Sequence, residues 1–510
     1  MTPAITLDRV RRHIWRQSPS SYMSETNNKG QERVVTGIPG VDDILGGGYL
    51  PESATLVRGE PGSGKSIFSL HFLAAGLDTD ETGLYINLGE PEDYIRDTAR
   101  HFGFAIDAIE FLNLSASGDQ FQGEETYTLF ESGEVETPSL VESIRAEIQE
   151  INPDRVVVDP VTEFRYLAPD EHQFRSQILG LINFLKSEGA TVLLTSQAAA
   201  SMPDDDLQFL VDAVINVKAE ADRRTIHVSK FRGSSVRSGH HTLRITDDGM
   251  RVWPRLDPNR HEREHNSTKL SSGVPALDSL LSGGLTTGTI TFLSGPTGVG
   301  KTTTGLQFMK EAAGRGQRSV LYSFEEDHNT LFERAEAVNI PVTEMIDRGT
   351  LNVEVIGPEE LTVDEFTHHI RSEVEDKDAE IVMIDGTSGF EQSLRGVDED
   401  PMRDLVKVGR YLRNMGVTGL VTNEVHNITG EFRATDQGMS YLADSIVVLR
   451  HVEYKGSLRK VIGVLKMRTS QYENQLRELE ITEHGLRVGD SLPELRGILT
   501  GTPTWDDDGD

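Results

Sequence analysis

The sequence predicts an α/β fold built from two tandem domains, each a mostly parallel, twisted β-sheet flanked by helices. Three observations support this prediction: the chain repeats itself, apolar β-rich runs alternate with helical patterns in each copy, and each copy carries a glycine-rich loop between a strand and a helix. A chain of 510 residues is long enough for each half to bury its own core.

One internal repeat spans most of the chain. The segment TGIPGVDDIL, which begins at Thr36, resembles SGVPALDSLL, which begins at Ser272, and the offset of 236 residues also aligns Lys65 with Lys301. The same register still holds near residues 243–252 and 479–488, so the two copies arose by duplication. We therefore predict an N-terminal arm (1–33), a first domain (34–253), a linker (254–268), a second domain (269–490) and a C-terminal tail (491–510).

The strands of each copy are predicted from short apolar runs that are rich in β-branched residues. Helical patterns such as Ser66–Ala75 and Thr303–Ala313 fall between them, which indicates parallel strands joined by helices. The last two strands of each copy follow one another without a helix and are expected to form hairpins at one sheet edge. The predicted strands are Ala54–Arg58, Leu84–Leu88, Arg155–Asp159, Thr191–Thr195, Ala213–Lys218 and Thr225–Lys230, then Thr291–Ser294, Val320–Phe324, Ile381–Asp385, Gly419–Thr422, Ser445–Arg450 and Val461–Lys466.

The glycine-rich loops GEPGSGKS and GPTGVGKT both match the P-loop pattern GxxxxGK[ST], in the required context between a strand and a helix. Glycines let successive backbone N–H groups curve around phosphates at a helix N-terminus, and the lysine reaches the β- and γ-phosphates. We expect ATP with Mg²⁺ as the ligand, with Ser66 and Thr302 holding the metal. The predicted nucleotide-binding residues are Gly59, Gly62, Ser63, Gly64, Lys65 and Ser66, and Gly295, Thr297, Gly298, Val299, Gly300, Lys301 and Thr302.

Carboxylates at the ends of two further strands complete the predicted site. Asp159 and Asp385 each end an apolar strand and are expected to orient a magnesium-bound water. Glu90 in the first copy, and Glu325 with Glu326 in the second, follow the neighbouring strand. A carboxylate there can accept a proton from the nucleophile that attacks the γ-phosphate.

Two pairs of cations follow the last predicted strand of each copy: Lys230 with Arg232, and Lys466 with Arg468. Cations of this kind can neutralise γ-phosphate charge across a subunit interface, as an arginine finger does. We predict that role for all four residues.

Composition restricts the protein class. The 82 acidic residues exceed the 50 basic ones, which gives a net charge of −32 and repels polyanions at long range. The chain contains no cysteine, so it forms neither disulfides nor thiolate metal sites. No apolar run reaches membrane-spanning length, and we expect a cytoplasmic protein.

Together these motifs resemble the KaiC family of double-domain RecA-like ATPases, from about residue 33 to the ILTGTP segment that ends at Pro503. The resemblance depends on the GIP and GVP phrases before the P-loops, the Phe324-Glu325-Glu326 motif and the KxRG-like turns. It implies two RecA-like P-loop domains and a hexameric double ring with ATP between neighbouring subunits. It further implies a slow ATPase in the first ring and autophosphorylation in the second. It also implies signalling partners that bind through the C-terminal tail. The acidic composition points to a haloarchaeal member.

By the same resemblance, Ser440 matches the first of two adjacent phospho-acceptors. Tyr441 stands where the second acceptor, a threonine, would be, so two-site phosphorylation is not predicted. The chain also has Gly89 for the first carboxylate of copy one and Thr469 for a turn glycine.

Two other functions remain open at this stage. One is a DNA-processing motor on the same fold, although Lys and Arg cluster only in the N-terminal arm and nucleic acid is not an expected partner. The other is a nucleotide-gated scaffold that binds ATP and turns over little.

Overall fold

The computed structural model describes residues 32–114, 145–197, 204–220, 223–358, 360–395, 401–425, 441–454, 456–491, 495–496 and 504–505. The chain divides into two compact units, Met1–Pro254 and Arg255–Asp510. Among the helices of these ranges, none has the length and apolar composition needed to cross a bilayer.

The first unit contains a nine-stranded sheet in the order β3-β2-β4-β5-β1-β6-β7-β8-β9. Strands β3 to β6 in this order pair in parallel, and β6 to β9 pair as antiparallel hairpins. The strands are β1 Ala54–Gly59, β2 Gly83–Asn87, β3 Glu110–Asn113, β4 Arg155–Asp159, β5 Thr191–Gln197, β6 Ala213–Ala219, β7 Arg224–Phe231, β8 His241–Thr246 and β9 Gly249–Trp253.

Helices cover both faces of this sheet. Consecutive strand residues point to opposite faces, and the apolar ones on each face are buried beneath helices. Leu56 and Val57 of β1, for example, belong to separate buried clusters. The helices are α1 Pro39–Leu45, α2 Lys65–Leu77, α3 Glu92–His101, α4 Glu171–Ser187 and α5 Leu207–Leu210, with a 3₁₀ helix at Val161–Leu167 and a helical stretch over residues 145–151.

The second unit repeats the same nine-strand order, β14-β13-β16-β18-β12-β19-β20-β21-β22. These strands are β12 Ile290–Gly295, β13 Ser319–Ser323, β14 Leu351–Val355, β16 Ile381–Asp385, β18 Thr418–Glu424, β19 Ser445–Tyr454, β20 Ser457–Met467, β21 Arg477–Thr482 and β22 Gly485–Ser491. Three two-residue pairs accompany them: β10 Lys269–Leu270 with β11 Leu285–Thr286, β15 Leu361–Thr362 with β17 Leu394–Arg395, and β23 Leu495–Arg496 with β24 Thr504–Trp505. The helices are α6 Pro275–Leu280, α7 Lys301–Gly314, α8 His328–Ala337, α9 Val342–Asp347, α10 Val363–Arg371, α11 Thr387–Ser393 and α12 Pro401–Asn414, with a 3₁₀ turn at Pro258–Arg260 and a π turn at Ser372–Asp376.

The predicted fold class is confirmed, and every predicted strand is present with ends shifted by a few residues at most. The edge strands β3 and β14 and the outer hairpins β8–β9 and β21–β22 were not predicted. These strands are partly exposed, so their apolar runs are short and interrupted.

Residues that were expected to form a linker lie against the second unit. Leu256 is buried in the core cluster of that unit, and the carbonyl of Pro258 accepts a hydrogen bond from Asn414 Nδ2 at 2.8 Å. His261 contacts Glu375 at 3.0 Å and its ring meets the ring of Tyr411 edge-on. This segment is therefore part of the second unit's structure.

Candidate functional site

Both P-loops occupy the same place in the two units, between the central strand and the helix that follows it. Gly64 and Gly300 precede the helices α2 and α7 with φ angles of 108° and 110°, a conformation that glycine adopts readily. A side chain at either position would also collide with the last hairpin, since an added Cβ would lie 2.9 Å from Ile245 in the first unit and 2.4 Å from Ile481 in the second. The hairpins thus hold each loop at the helix N-terminus, where N–H groups can meet phosphate.

The two P-loop lysines have the same surroundings. Lys65 Nζ donates to the carbonyls of Gly59 at 2.9 Å and Glu60 at 3.0 Å, and Lys301 Nζ donates to Gly295 and Pro296 at the same distances. Burial lowers the pKa of both ammonium groups. A partly buried cation whose hydrogen bonds within the described ranges go to carbonyl oxygens favours an anionic ligand, which fits a nucleotide phosphate.

Two predicted P-loop positions have buried side chains. Ser63 and Val299, at equivalent positions, are fully buried. The Ser63 hydroxyl has no hydrogen-bond partner within the described ranges. Both side chains pack beside the first glycine of their own loop, since an added Cβ would lie 2.5 Å from Ser63 Oγ at Gly59 and 3.1 Å from Val299 Cγ1 at Gly295.

In the second unit, the predicted metal ligands meet. Thr302 Oγ1 lies 3.0 Å from both carboxylate oxygens of Asp385, and Thr422 Oγ1 donates to the same carboxylate at 2.8 Å. Burial raises the pKa of Asp385, which is 1% exposed. A buried carboxylate beside the P-loop hydroxyl is a donor set that fits Mg²⁺.

In the first unit, the equivalent carboxylate has different partners. Asp159 accepts hydrogen bonds from Tyr85 and from Thr195, the counterpart of Thr422. No contact between Ser66 and Asp159 is present among the described residues. Tyr85 has no polar counterpart in the second unit, where Leu321 occupies its position. No motif signals this contact, because Tyr85 is buried and stacks on Phe111 like an ordinary core residue.

The loop that carries the predicted bases is fixed by the last residue of the preceding strand. Asn87 bonds the backbone of Glu90 in the first unit, and Ser323 bonds the backbone of Glu326 in the second, with its Oγ donating to the Glu326 carbonyl at 3.0 Å. Both residues pair in register with the metal-site aspartate of the next strand, Asn87 with Asp159 and Ser323 with Asp385. The glutamates therefore lie beside the predicted metal site in both units.

The missing first carboxylate of copy one has a steric reason. In the second unit Glu325 lies against Gly386, where an added Cβ would be only 2.6 Å from Glu325 Cγ. In the first unit the residue after the aspartate is Pro160, and an added Cβ at Gly89 would lie 3.1 Å from its ring. Glycine after the aspartate thus accompanies a glutamate in the second unit, whereas in the first unit a side chain at position 89 would be in tight contact with Pro160.

The three candidate bases differ in electrostatic surroundings. Burial and then Asp385 raise the pKa of Glu325, whereas nearby Lys301 lowers it. Burial also raises the pKa of Glu326, against the effect of Arg334, whose guanidinium bonds one carboxylate oxygen. Burial and then Asp159 raise the pKa of Glu90, and no cation in the described part of the chain is among the causes that lower it. Glu325 is thus the candidate base whose pKa is lowered by the lysine of its own P-loop.

A further carboxylate that the sequence did not single out belongs to the second site. Glu424 ends β18, in register with Gly295, and accepts a hydrogen bond from Thr297 of the P-loop. Its counterpart at the end of β5 is Gln197, in register with Gly59. In so acidic a chain, one more glutamate at a strand end carried no visible signal.

The cations predicted to act as arginine fingers lie near the amino-terminal ends of the parallel strands. The P-loop of the same unit follows the carboxyl-terminal end of the central strand. The backbone of Arg232 bonds Asp212, the residue before β6, and Arg468 likewise bonds Asp444, before β19. Both aspartates also bond the first residue of the central strand, Ala54 in the first unit and Ile290 in the second, whereas the P-loop begins at the other end of that strand. Arg232 and Arg468 are thus separated from their own P-loops by about 17 Å along the strands, farther than their side chains extend.

The lysines and arginines of these pairs have different surroundings. Lys230 Nζ donates to the carbonyls of Gln208 and Val211, both at 2.6 Å, and Lys466 Nζ donates to Ala443 at 2.7 Å. The side chains of Arg232 and Arg468 are 61% and 50% exposed. The lysines thus bond the chain that leads into the neighbouring strand, and each arginine, although largely exposed, lies 4.0 Å from the aspartate before that strand.

The phosphorylation candidate Ser440 lies outside the described residues. The next residue, Tyr441, is exposed, and its carbonyl accepts a hydrogen bond from Arg468 Nη1 at 3.2 Å.

Comparison with known proteins identifies relatives of the whole chain. The family model of the KaiC ATPase matches twice, at residues 34–257 and 270–492. The circadian clock oscillator protein KaiC of Synechococcus elongatus is 30% identical over 504 residues, covering 95% of both chains, and that of Acaryochloris marina is 30% identical over 501 residues, covering 95% of this chain and 94% of the relative. The circadian clock protein KaiC3 of Synechocystis is 28% identical over 501 residues, covering 95% and 97%.

Proposed function

The chain belongs to the KaiC family of ATPases, and from this premise we propose that it is a signalling ATPase that hydrolyses ATP between the subunits of a hexameric double ring. The position of Arg232 and Arg468 carries the proposal. Each unit has a P-loop at the carboxyl ends of its parallel strands and an exposed arginine at their amino ends. A complete site therefore needs a second copy of the domain. Head-to-tail contacts of this kind generate a ring when the rotation from one subunit to the next closes.

Within each site we propose the following roles. Lys65 and Lys301 bind the phosphates, and Mg²⁺, held by Asp385 with Thr302 and by Asp159 with Ser66, would offset negative charge on the phosphate oxygens. Glu90, and Glu325 or Glu326, accept a proton from the attacking water. The arginine of the neighbouring subunit stabilises charge that develops on the γ-phosphate.

Assembly is the first test. We expect light scattering of the 56.4 kDa chain to report a hexamer with MgATP, in salt that supports an acidic protein, and smaller species after nucleotide removal. Phosphate release measured on the same samples distinguishes an ATPase from a scaffold with little turnover. A monomer at saturating MgATP would contradict the ring, and a hexamer without phosphate release would contradict the ATPase.

We also propose that the second ring phosphorylates Ser440. The Ser440 oxygen would attack the γ-phosphorus of a neighbour's ATP, the bond to the β-γ bridging oxygen would break, ADP would leave, and the hydroxyl proton would pass to Glu325 or Glu326. The contact between Arg468 and the Tyr441 carbonyl supports this, because it brings the chain next to Ser440 beside the arginine that we assign to the neighbour's γ-phosphate.

Mass spectrometry after incubation with MgATP tests this prediction. We expect one added phosphate on the peptide that contains Ser440, none in Ser440→Ala, and none in the Glu325→Gln/Glu326→Gln double variant. Tyr441→Phe should keep the modification, since a tyrosine hydroxyl lies several bonds farther from the backbone. An unmodified wild-type peptide, or equal phosphate in the double variant, would leave an ATPase without kinase activity.

A further inference from the structure

Both carboxylate oxygens of the first unit's metal-site aspartate accept hydrogen bonds from hydroxyl groups outside the P-loop. Thr195 donates to Oδ1 of Asp159, and Tyr85 donates to Oδ2. In the part of the chain that the structure describes, no hydrogen bond joins Ser66 to this carboxylate. Asp159 is therefore held by two neighbouring strands and not by its own P-loop.

The equivalent carboxylate of the second unit is bonded to its P-loop instead. Thr302 Oγ1 lies 3.0 Å from both oxygens of Asp385, and Thr422 donates to Oδ1 at 2.8 Å. Leu321 takes the place of Tyr85, since each of them pairs with the residue two positions before the aspartate. An aliphatic side chain has no donor, so the second site has no hydroxyl at this strand position.

Packing in the first unit fixes the ring that carries this hydroxyl. Tyr85 is 1% exposed, and its ring stacks on that of Phe111, with the centroids 5.3 Å apart and 12° between the planes. The guanidinium of Arg96 lies 4.3 Å from the centre of the Phe111 ring. Val353 has the strand position of Phe111 in the second unit and offers no ring for stacking. The bond from Tyr85 to Asp159 thus depends on side chains that only the first unit has at these positions.

We propose that Tyr85 is a positioning residue that lowers the affinity of the first site for Mg²⁺, because its hydroxyl holds Asp159 in the arrangement of the metal-free site. The inference rests on the proposed ATP-binding function, in which Asp159 and Ser66 would hold the metal. To turn toward the metal or a metal-bound water, the carboxylate must give up or share the hydrogen bond from Tyr85. A buried hydrogen bond to a charged group stabilises the metal-free state, and metal binding has to overcome that stabilisation.

Tyr85→Phe tests this proposal, because it removes the hydroxyl and keeps the ring. In a Lys301→Ala background, titration calorimetry with a non-hydrolysable ATP analogue gives one association constant with excess Mg²⁺ and another in a chelator. By linkage, the ratio of the two constants reports how strongly the protein site itself favours the metal. We expect Tyr85→Phe to raise this ratio about tenfold, since the metal-free Asp159 loses a hydrogen bond.

Tyr322→Phe in a Lys65→Ala background is the matched control. Tyr322 is also fully buried, next to Leu321 on the equivalent strand, and its hydroxyl has no hydrogen-bond partner within the described ranges. This variant should leave the ratio at the second site unchanged. The two unsubstituted backgrounds give a comparison that does not depend on the folding of Tyr85→Phe: the ratio should be lower for the first site than for the second.

Four results would overturn the proposal. They are an unchanged or smaller ratio in Tyr85→Phe, a change of both association constants by the same factor, an equal rise in Tyr322→Phe, and a first-site ratio as large as that of the second site. A change of both constants alike would show that Tyr85 acts through packing of the whole site and not on the metal. A Lys301→Ala chain that binds no nucleotide would overturn the proposed function together with this inference.

Discussion

Replacing Arg232 by alanine, in a Lys301→Ala background that silences the second site, is expected to lower phosphate release by about 10³–10⁵-fold. The Arg232 guanidinium is exposed at the amino ends of the parallel strands, whereas its own P-loop lies at their carboxyl ends. Its removal therefore leaves every contact of Lys65 intact. Nucleotide binding by calorimetry should therefore stay close to that of the parent while turnover is lost. Arg468→Ala in a Lys65→Ala background should have the same effect at the second site.

A mixing experiment shows whether the arginine acts on a neighbour. Arg232→Ala subunits retain a P-loop, and Lys65→Ala subunits retain the arginine, each with the second site silenced. In rings assembled from equal amounts, about a quarter of the interfaces join an intact P-loop to an intact arginine, because each head-to-tail interface takes one face from each subunit. Phosphate release should recover to about that fraction of the parent.

Arg224→Ala is the matched control, since Arg224 is an exposed arginine at the other end of the same strand, β7. It should leave phosphate release unchanged. No recovery on mixing, with hexamers present in light scattering, would show that Arg232 does not serve a neighbouring site.

The sequence was sufficient to predict the fold because the determining signals are local. Buried parallel strands such as Arg155–Asp159 read as continuous apolar runs, and each P-loop fixes where one strand ends and a helix begins. The repeat then transferred each assignment from one copy to the other. Partly exposed edge strands gave no comparable pattern, which is why β3 and the outer hairpins were missed.

The candidate site was predictable only where a motif carried it. The position of Arg232 depends on the long-range pairing of β1 with β6 and of β6 with β7, which no local pattern records. The exchange of Glu325 for Gly89 became intelligible only when Gly386 and Pro160 were seen beside them. Glu424 was overlooked because its meaning comes from the P-loop strand next to it and not from its own sequence neighbours.

Glu90→Gln is expected to lower phosphate release at the first site by about 10²–10⁴-fold while ATP stays bound. Glu90 is the carboxylate that this loop of the first copy offers next to Asp159, since position 89 is a glycine. The amide keeps the size of the side chain but cannot accept the proton of the attacking water. The measurement is phosphate release in a Lys301→Ala background, with nucleotide occupancy determined on the same sample.

The second site provides the matched comparison, in a Lys65→Ala background. Glu325 and Glu326 can both accept a proton there, so Glu326→Gln alone should lower phosphate release by less than Glu90→Gln does at the first site. The Glu325→Gln/Glu326→Gln double variant should lower it by as much. The pH profile gives a second readout: the pKa of Glu90 is raised, so the first site of the parent should lose activity as the pH falls through that raised pKa, and Glu90→Gln should remove this acid limb from whatever rate remains. Full phosphate release by Glu90→Gln, with Lys301→Ala present, would show that another group activates the water at the first site.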